Sequence, residues 1–241
     1  MDIRAMEPFG EALREFYRGE DTAECQVYRD DGYVGQLSAA SFFRDLTEFS
    51  PIEQRAIDLC KGRILDIGAG AGCHSLALQQ RGMDVLAIDV CPAAIDIMGE
   101  RGVKHAQRTD VFELQDGKFD TLLMMMHGIG LVQNLAGLDR FLDHAHRLIT
   151  PGGQILGDSL DVRCTDESEH LAYQEANRQS RRYFGEVRMR FEYKGQIGPL
   201  FGWLHVDPET LAEHARQHRW LFQAECQTAE GDYLARLVTM A

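Results

Sequence analysis

Residues 63–76, Arg-Ile-Leu-Asp-Ile-Gly-Ala-Gly-Ala-Gly-Cys-His-Ser-Leu, allow few structures. The first five residues contain no turn former and read as a buried strand. Glycines then stand at alternate positions, Gly68, Gly70 and Gly72, and the segment 74–81 reads as a helix stopped by Gly82. A strand, a glycine loop and a helix in immediate succession form the opening unit of a parallel sheet. The glycines let a ligand approach the backbone closely. Asp66, two residues before the first of them, places a carboxylate at that rim, so the approaching group carries positive charge.

The unit repeats along the chain. Strands are expected at 83–89, 103–110, 119–126 and 153–159, separated by helices at 92–101 and 135–149. Strands alternating with helices at this spacing imply an α/β fold, a parallel sheet covered on both faces. Ahead of it, Ser50, Pro51 and Glu53 form a capping box that starts a helix running to about Cys60. Residues 7–18 and 21–29 are expected to be helices of an N-terminal extension covering 1–49. After 160 the pattern changes. A helix over 166–182 precedes a strictly alternating strand, 186–193, with Val187, Met189, Phe191 and Tyr193 on one face. With 200–206 it makes a hairpin, a helix follows over 208–218, and two strands, 220–227 and 232–239, close the chain. The whole of 1–241 reads as one domain, with 160–206 as an insertion.

Composition narrows the function. The formal net charge is −13, and the nearest approach to a basic run, 177–184, holds three arginines on a helix, so nucleic acid is a poor partner. The longest apolar run, 121–132, is broken by His127 and two glycines, which excludes a bilayer-spanning segment. The first sixteen residues are acidic and lack the apolar stretch of a signal peptide. Six cysteines without Cys-x-x-Cys spacing read as reduced thiols rather than a metal site, and a cytoplasmic protein is expected. No pattern in the sequence specifies an oligomeric state.

In an open α/β sheet, ligands sit at the carboxyl ends of the strands where the strand order reverses. There the glycine loop offers Asp66 to a cation, while the start of the following helix favours an anion. A zwitterionic amino acid satisfies both. Asp89 ends the second strand, 17 residues beyond Gly72, where an acid accepts hydrogen bonds from both hydroxyls of a ribose. Asp110 ends the third, within reach of a purine amino group. Amino acid, ribose and adenine together suggest S-adenosyl-L-methionine as the cofactor.

These residues resemble the class I S-adenosylmethionine-dependent methyltransferases, by motif over 63–159 and in the terminal helix and hairpin at 207–239. The resemblance implies a Rossmann-like, doubly wound seven-stranded sheet ordered 3-2-1-4-5-7-6 with strand seven antiparallel. It further implies that Gly68, Ala69, Gly70 and Gly72 line the methionine portion and that Asp66 holds its amino group. Asp89 with Val90 would hold the ribose, and Asp110 with Val111 the adenine, while Met126 belongs to the same cofactor wall.

The acceptor is expected to be a small molecule. The position after strand four reads Met126-His127-Gly128-Ile129-Gly130, which lacks the Asn/Asp-Pro-Pro-aromatic motif of base amino-methylating enzymes and the acid of metal-dependent catechol-type ones, so no metal is expected. His127 is the candidate catalytic base, since imidazole titrates nearest neutrality. Asp158 and Asp161 lie near the end of strand five, and His74, His144 and His146 read as ordinary helix residues. Segments 7–45 and 160–206 should cover the acceptor, with 198–203 as a lid and Phe201 and Trp203 as its apolar walls. Two alternatives stay open: a non-catalytic module that binds the cofactor, and an NAD(P)-dependent oxidoreductase. Cys73, where a dinucleotide fingerprint has Gly or Ala, counts against the second.

Overall fold

Helix α1 (Glu7–Tyr17) forms where the sequence predicts it, with Pro8 in its first turn and Phe9, Ala12 and Leu13 buried. The segment 21–29, expected as a second helix, instead contains β1 (Glu24–Arg29), which a turn through Gly32 joins to β2 (Val34–Ser38). The correction has a local cause. Cys25 and Val27 alternate with Gln26 and Tyr28, the period of a strand, and the amide of Arg29 donates to the carbonyl of Tyr33 (2.9 Å) to close the turn. The extension 1–49 is therefore part helix and part sheet. The structure, a computed structural model, describes residues 2–115 and 117–240.

The elements that follow are α2 (Pro51–Leu59), β3 (Arg63–Ile67), α3 (Cys73–Gln80), β4 (Asp84–Asp89), α4 (Pro92–Arg101), β5 (Ala106–Arg108), β6 (Phe119–Met124), α5 (Leu135–Leu148) and β7 (Ile149–Leu160). Then come α6 (Ser168–Gln179), β8 (Glu186–Tyr193), β9 (Gln196–Ile197), β10 (Phe201–Leu204), α7 (Pro208–Gln217), β11 (Trp220–Gln227) and β12 (Asp232–Thr239). The capping box of α2 is present in both directions: the Glu53 amide donates to Ser50 Oγ (3.3 Å), and the Ser50 amide to Glu53 Oε2 (2.9 Å).

Seven strands form the larger sheet in the order β11-β12-β7-β6-β3-β4-β5. Counted within the sheet from β3, this is 3-2-1-4-5-7-6, and β12 runs antiparallel to both neighbours. The order reverses between β3 and β6, so the carboxyl ends of β3, β4 and β6 open on one crevice. Trp220 and Tyr233, both fully buried, anchor the far half of the sheet. Trp220 Nε1 donates to the Leu142 carbonyl (3.0 Å), and the Tyr233 hydroxyl to the Val206 carbonyl (2.7 Å). Among the described residues, no helix is long and apolar enough to cross a membrane.

A second sheet, wholly antiparallel, has the order β10-β8-β1-β2, with β9 also paired to β8. The predicted hairpin of β8 and β10 is thus two strands of a sheet whose other half comes from the amino terminus. Its inner face carries Cys25, Val27, Phe191 and Phe201, which pack with α1 and with Ala93, Ala94 and Ile97 of α4. The approach of α1 to α4 is close: a Cβ on Gly10 would lie 2.8 Å from Cys91 Sγ. This packing fixes the second sheet over the crevice.

Candidate functional site

A cavity of about 460 Å³ runs from the ends of β3, β4 and β5 to the inner face of the second sheet. Its floor is the glycine loop, where Gly68, Gly70 and Gly72 all have left-handed backbones (φ 73°, 55° and 82°). A Cβ on Gly68 would lie 2.5 Å from Leu131, and one on Gly70 would lie 2.9 Å from the Phe42 ring, so any other residue is both crowded and strained there by the left-handed backbone. Gly68, Ala69 and Gly70 line the cavity. Gly72 lies behind them, where a Cβ would sit 2.9 Å from both Met98 and Val103.

The loop amides are not open donors. Those of Gly68 and Ala69 donate to the Ile88 carbonyl (2.9 and 3.1 Å), and that of Gly70 donates to Asp89 Oδ2 (2.9 Å). The glycines therefore shape the floor rather than coordinate an anion. Asp89 Oδ1 accepts the Cys91 amide (2.8 Å), so both carboxylate oxygens are held by backbone while the group faces the cavity. Asp66, 2% exposed, accepts from Ser75 Oγ (2.6 Å). Burial pushes both carboxyls above the usual carboxylate range, against the charge of His74 and the Ser75 bond at Asp66 and the backbone amides at Asp89. A cation or a hydroxyl donor arriving beside them relieves that burial. Asp110 accepts the Phe112 amide (3.1 Å) and, with Val90 and Val111, lines the same cavity.

Behind Asp66 lies a buried ionic chain that the sequence reading did not assemble. His74 Nε2 meets Glu53 Oε1 (2.8 Å), and Arg44 grips Glu53 through both guanidinium nitrogens (2.7 and 2.8 Å). Burial disfavours the charge on His74, yet Cys73, Glu53 and Asp66 outweigh it and raise its pKa well above the ordinary value. Expected as an ordinary helix residue, His74 instead ties α3 to α2 and to the loop before it.

Met126 and His127 follow β6 with consecutive left-handed backbones (φ 63° and 57°), and both line the cavity. Such conformations cost non-glycine residues roughly 1–3 kcal/mol each and cluster at functional sites. His127 Nε2 lies 2.6 Å from Asp232 Oδ1, and its ring meets that of His205 edge to face at 5.4 Å. Burial works against the imidazolium, but the Asp232 bond and the charges of Asp158 and Asp232 raise its pKa above the ordinary value. Burial and the neighbouring His127 push His205 the other way, down to about 3, which leaves it neutral. Asp158 is buried beneath the turn and accepts the Gly128 amide (3.4 Å); Asp161 is held by Arg163 (2.7 Å). His144 and His146 each donate Nε2–H to a backbone carbonyl, of Val111 and His218 (2.9 Å each).

The end of the cavity away from Asp110 is apolar, walled by Phe9, Val27, Leu37, Phe42, Phe191 and Trp203. Of the two walls the sequence predicts, Trp203 lines the cavity, whereas Phe201 packs into the cluster between the second sheet and α1. The segment 198–203, expected as a lid, is instead pinned: β10 is paired to β8, and Gly198 rests on the backbone of Ala5. Asp232 and His205 were missed because each stands at an element end with no motif around it. Among the described residues, no group of three or more His, Cys, Asp or Glu is arranged to hold a metal ion.

A family model described as a methyltransferase domain matches residues 36–225. The solved structure of an S-adenosylmethionine-dependent methyltransferase from Bacteroides fragilis, in complex with S-adenosyl-L-homocysteine, has a TM-score of 0.86 and 30% identity; the match covers 99% of this chain and 97% of that one. The ubiquinone biosynthesis O-methyltransferase of Pseudomonas aeruginosa is 28% identical over 127 residues, 48% of this chain and 53% of the relative. The chain thus spans about half the length of the curated relatives it matches. The 1,6-didemethyltoxoflavin-N1-methyltransferase of Burkholderia thailandensis shares the fold, with a TM-score of 0.52 and 16% identity over 97% of this chain and 89% of that one.

With the 3-2-1-4-5-7-6 sheet and the glycine loop at its switch point, the chain belongs to the class I S-adenosylmethionine-dependent methyltransferases. The cofactor of the family is S-adenosyl-L-methionine. The residues present fit it: a buried carboxylate for an ammonium, a carboxylate fixed by two backbone amides at the cavity wall for a diol, and a floor of glycine and alanine.

Proposed function

We propose that this protein methylates a small, ring-bearing molecule at a hydroxyl or amine, and that His127 takes the proton released. Asp66 would hold the cofactor ammonium, Asp89 the ribose hydroxyls and Asp110 the adenine amino group. When bound, S-adenosyl-L-methionine supplies a methyl group made electrophilic by its sulfonium. Phe9, Phe42, Phe191 and Trp203 would seat the acceptor ring and keep water out, so that positioning does most of the work.

The observation that carries the reading is the pair of His127 and Asp232 on the cavity wall. With Nε2 donating to Asp232, the Nδ1 lone pair is left as the base. His127 Nδ1 would take the proton that the acceptor hydroxyl or amine gives up as it receives the methyl group. Asp232 stabilises the imidazolium that results. A net charge of −13 and the enclosed apolar wall favour a small acceptor over nucleic acid. The relatives named for ubiquinone biosynthesis act as O-methyltransferases, which agrees with a hydroxyl acceptor.

The test is formation of S-adenosylhomocysteine against a panel of phenols and aromatic amines. An acceptor should emerge, and His127→Ala should lower its turnover about 10²-fold or more while cofactor affinity stays within a few-fold. Full turnover in that variant would remove His127 from the chemistry.

A further inference from the structure

Behind the apolar end of the cavity lies a second one, of about 320 Å³, built by the segment after β7, α6 and the β1–β2 hairpin. The two share four wall residues, Val27, Gly35, Met189 and His205. None of these belongs to the cofactor end; all stand beside the acceptor walls.

Gly35 is the residue that needs explaining. It sits inside β2, opposite Val27, where glycine weakens a strand. Its backbone is not left-handed, and a Cβ there would meet one atom, the Tyr33 ring edge at 3.5 Å, an ordinary contact. Neither the backbone nor the packing requires glycine. Gly35 lines both cavities and puts no side chain of its own between them. His205 stands at the same boundary as a neutral imidazole, with a buried Nδ1 that has no hydrogen-bond partner among the described residues.

The walls of the second cavity indicate what it takes. Arg29 is gripped at both ends by Asp31 (2.8 Å twice) and lies against the rings of Tyr33 and Tyr173, 4.6 and 4.3 Å from their centroids. Asp161 is bound by Arg163, and His170 pairs with Glu167 (3.1 Å). Glu230 stands exposed at the mouth. With Arg29, Asp161 and His170 engaged by partners and Glu230 facing solvent, the surface left for a ligand is mainly the aliphatic side chains of Leu160, Val162, Val187 and Met189.

The geometry points to the second cavity as an acceptor compartment, reached past Gly35 and His205, that takes an uncharged, ring-bearing extension of the molecule methylated at His127. The acceptor is therefore elongated, with its reacting group in the main cavity and its distal ring among Leu160, Val162, Val187 and Met189. This rests on the acceptor reading given above.

The test uses phenol and 4-benzyloxyphenol as probes, titrated into the full chain saturated with S-adenosylhomocysteine. The longer phenol should bind at least about tenfold more tightly, from the extra apolar area buried. Gly35→Phe should abolish that gain while S-adenosylhomocysteine still binds. Gly35→Ala, which leaves the passage open, should keep it, and Gly35→Leu serves as the smaller plug should the phenylalanine variant not fold. If phenol binds and the longer phenol gains nothing, or the gain survives both plugs, the second compartment is refuted alone. If neither phenol binds the wild-type complex, the aromatic-acceptor reading falls and the compartment with it.

Discussion

Replacing Asp89 by asparagine should be as damaging as replacing it by alanine. Its two oxygens each accept a backbone amide, Gly70 at 2.9 Å and Cys91 at 2.8 Å. An asparagine has one acceptor oxygen, so its NH₂ must face one of those N–H groups, donor against donor. The side chain rotates away or the glycine loop shifts. Leaving a partly buried amide unsatisfied costs about 1–3 kcal/mol, and losing charged bonds to the ribose costs about 1.5–3 kcal/mol more in affinity. At about 1.4 kcal/mol per tenfold, the second loss is roughly 10–100-fold in Kd. Calorimetry with S-adenosylhomocysteine gives the affinity, and thermal melting of the ligand-free variant gives the stability. A ligand-free melting temperature equal to wild type would show that the carboxylate does not hold the loop. Unchanged affinity as well would show that the ribose is held elsewhere.

The pH dependence of turnover should show its acidic limb above the ordinary histidine value, because Asp232 and Asp158 raise the His127 pKa and only the neutral ring accepts a proton; in Asp232→Asn the limb should move to lower pH, and an unmoved limb would assign it to another group. Glu53→Ala should destabilise the protein by about 3–5 kcal/mol in denaturant titration, since it leaves the buried His74 and the half-buried Arg44 without their shared partner; a loss under 1 kcal/mol would refute the account of that chain. The folded pKa of Glu53 is depressed from 4.5 to about 2, burial being outweighed by His74 and Arg44. Its stabilisation is therefore complete above pH 4.5 and lost as pH falls towards 2, a slope that melting of Glu53→Gln should lack.

The residues that line the glycine-loop end of the cavity could be picked out in the sequence because they are local. One strand, three glycines and one helix start lie within a dozen residues, and Asp66, Asp89 and Asp110 mark successive strand ends. The engagement of the loop amides by Ile88 and Asp89 is not legible in the sequence, since it depends on the register of β4 beside β3. The acceptor half was read less well because its contacts are not local. β1 finds its partner in β8, Val27 opposite Phe191, and a strand supplied from the other end of the chain decides the state of 24–29. His127 could be singled out from its place after a strand, but Asp232, 105 residues on, and His205 are joined to it only by the folded sheet.

The most direct measurement is a crystal structure of the protein with S-adenosylhomocysteine. The account predicts the ribose hydroxyls on Asp89, the ammonium on Asp66, and the sulfur turned towards His127 and the wall formed by Phe42 and Trp203. A ribose held away from Asp89, or a sulfur turned from His127 with the acceptor end of the cavity out of its reach, would contradict it.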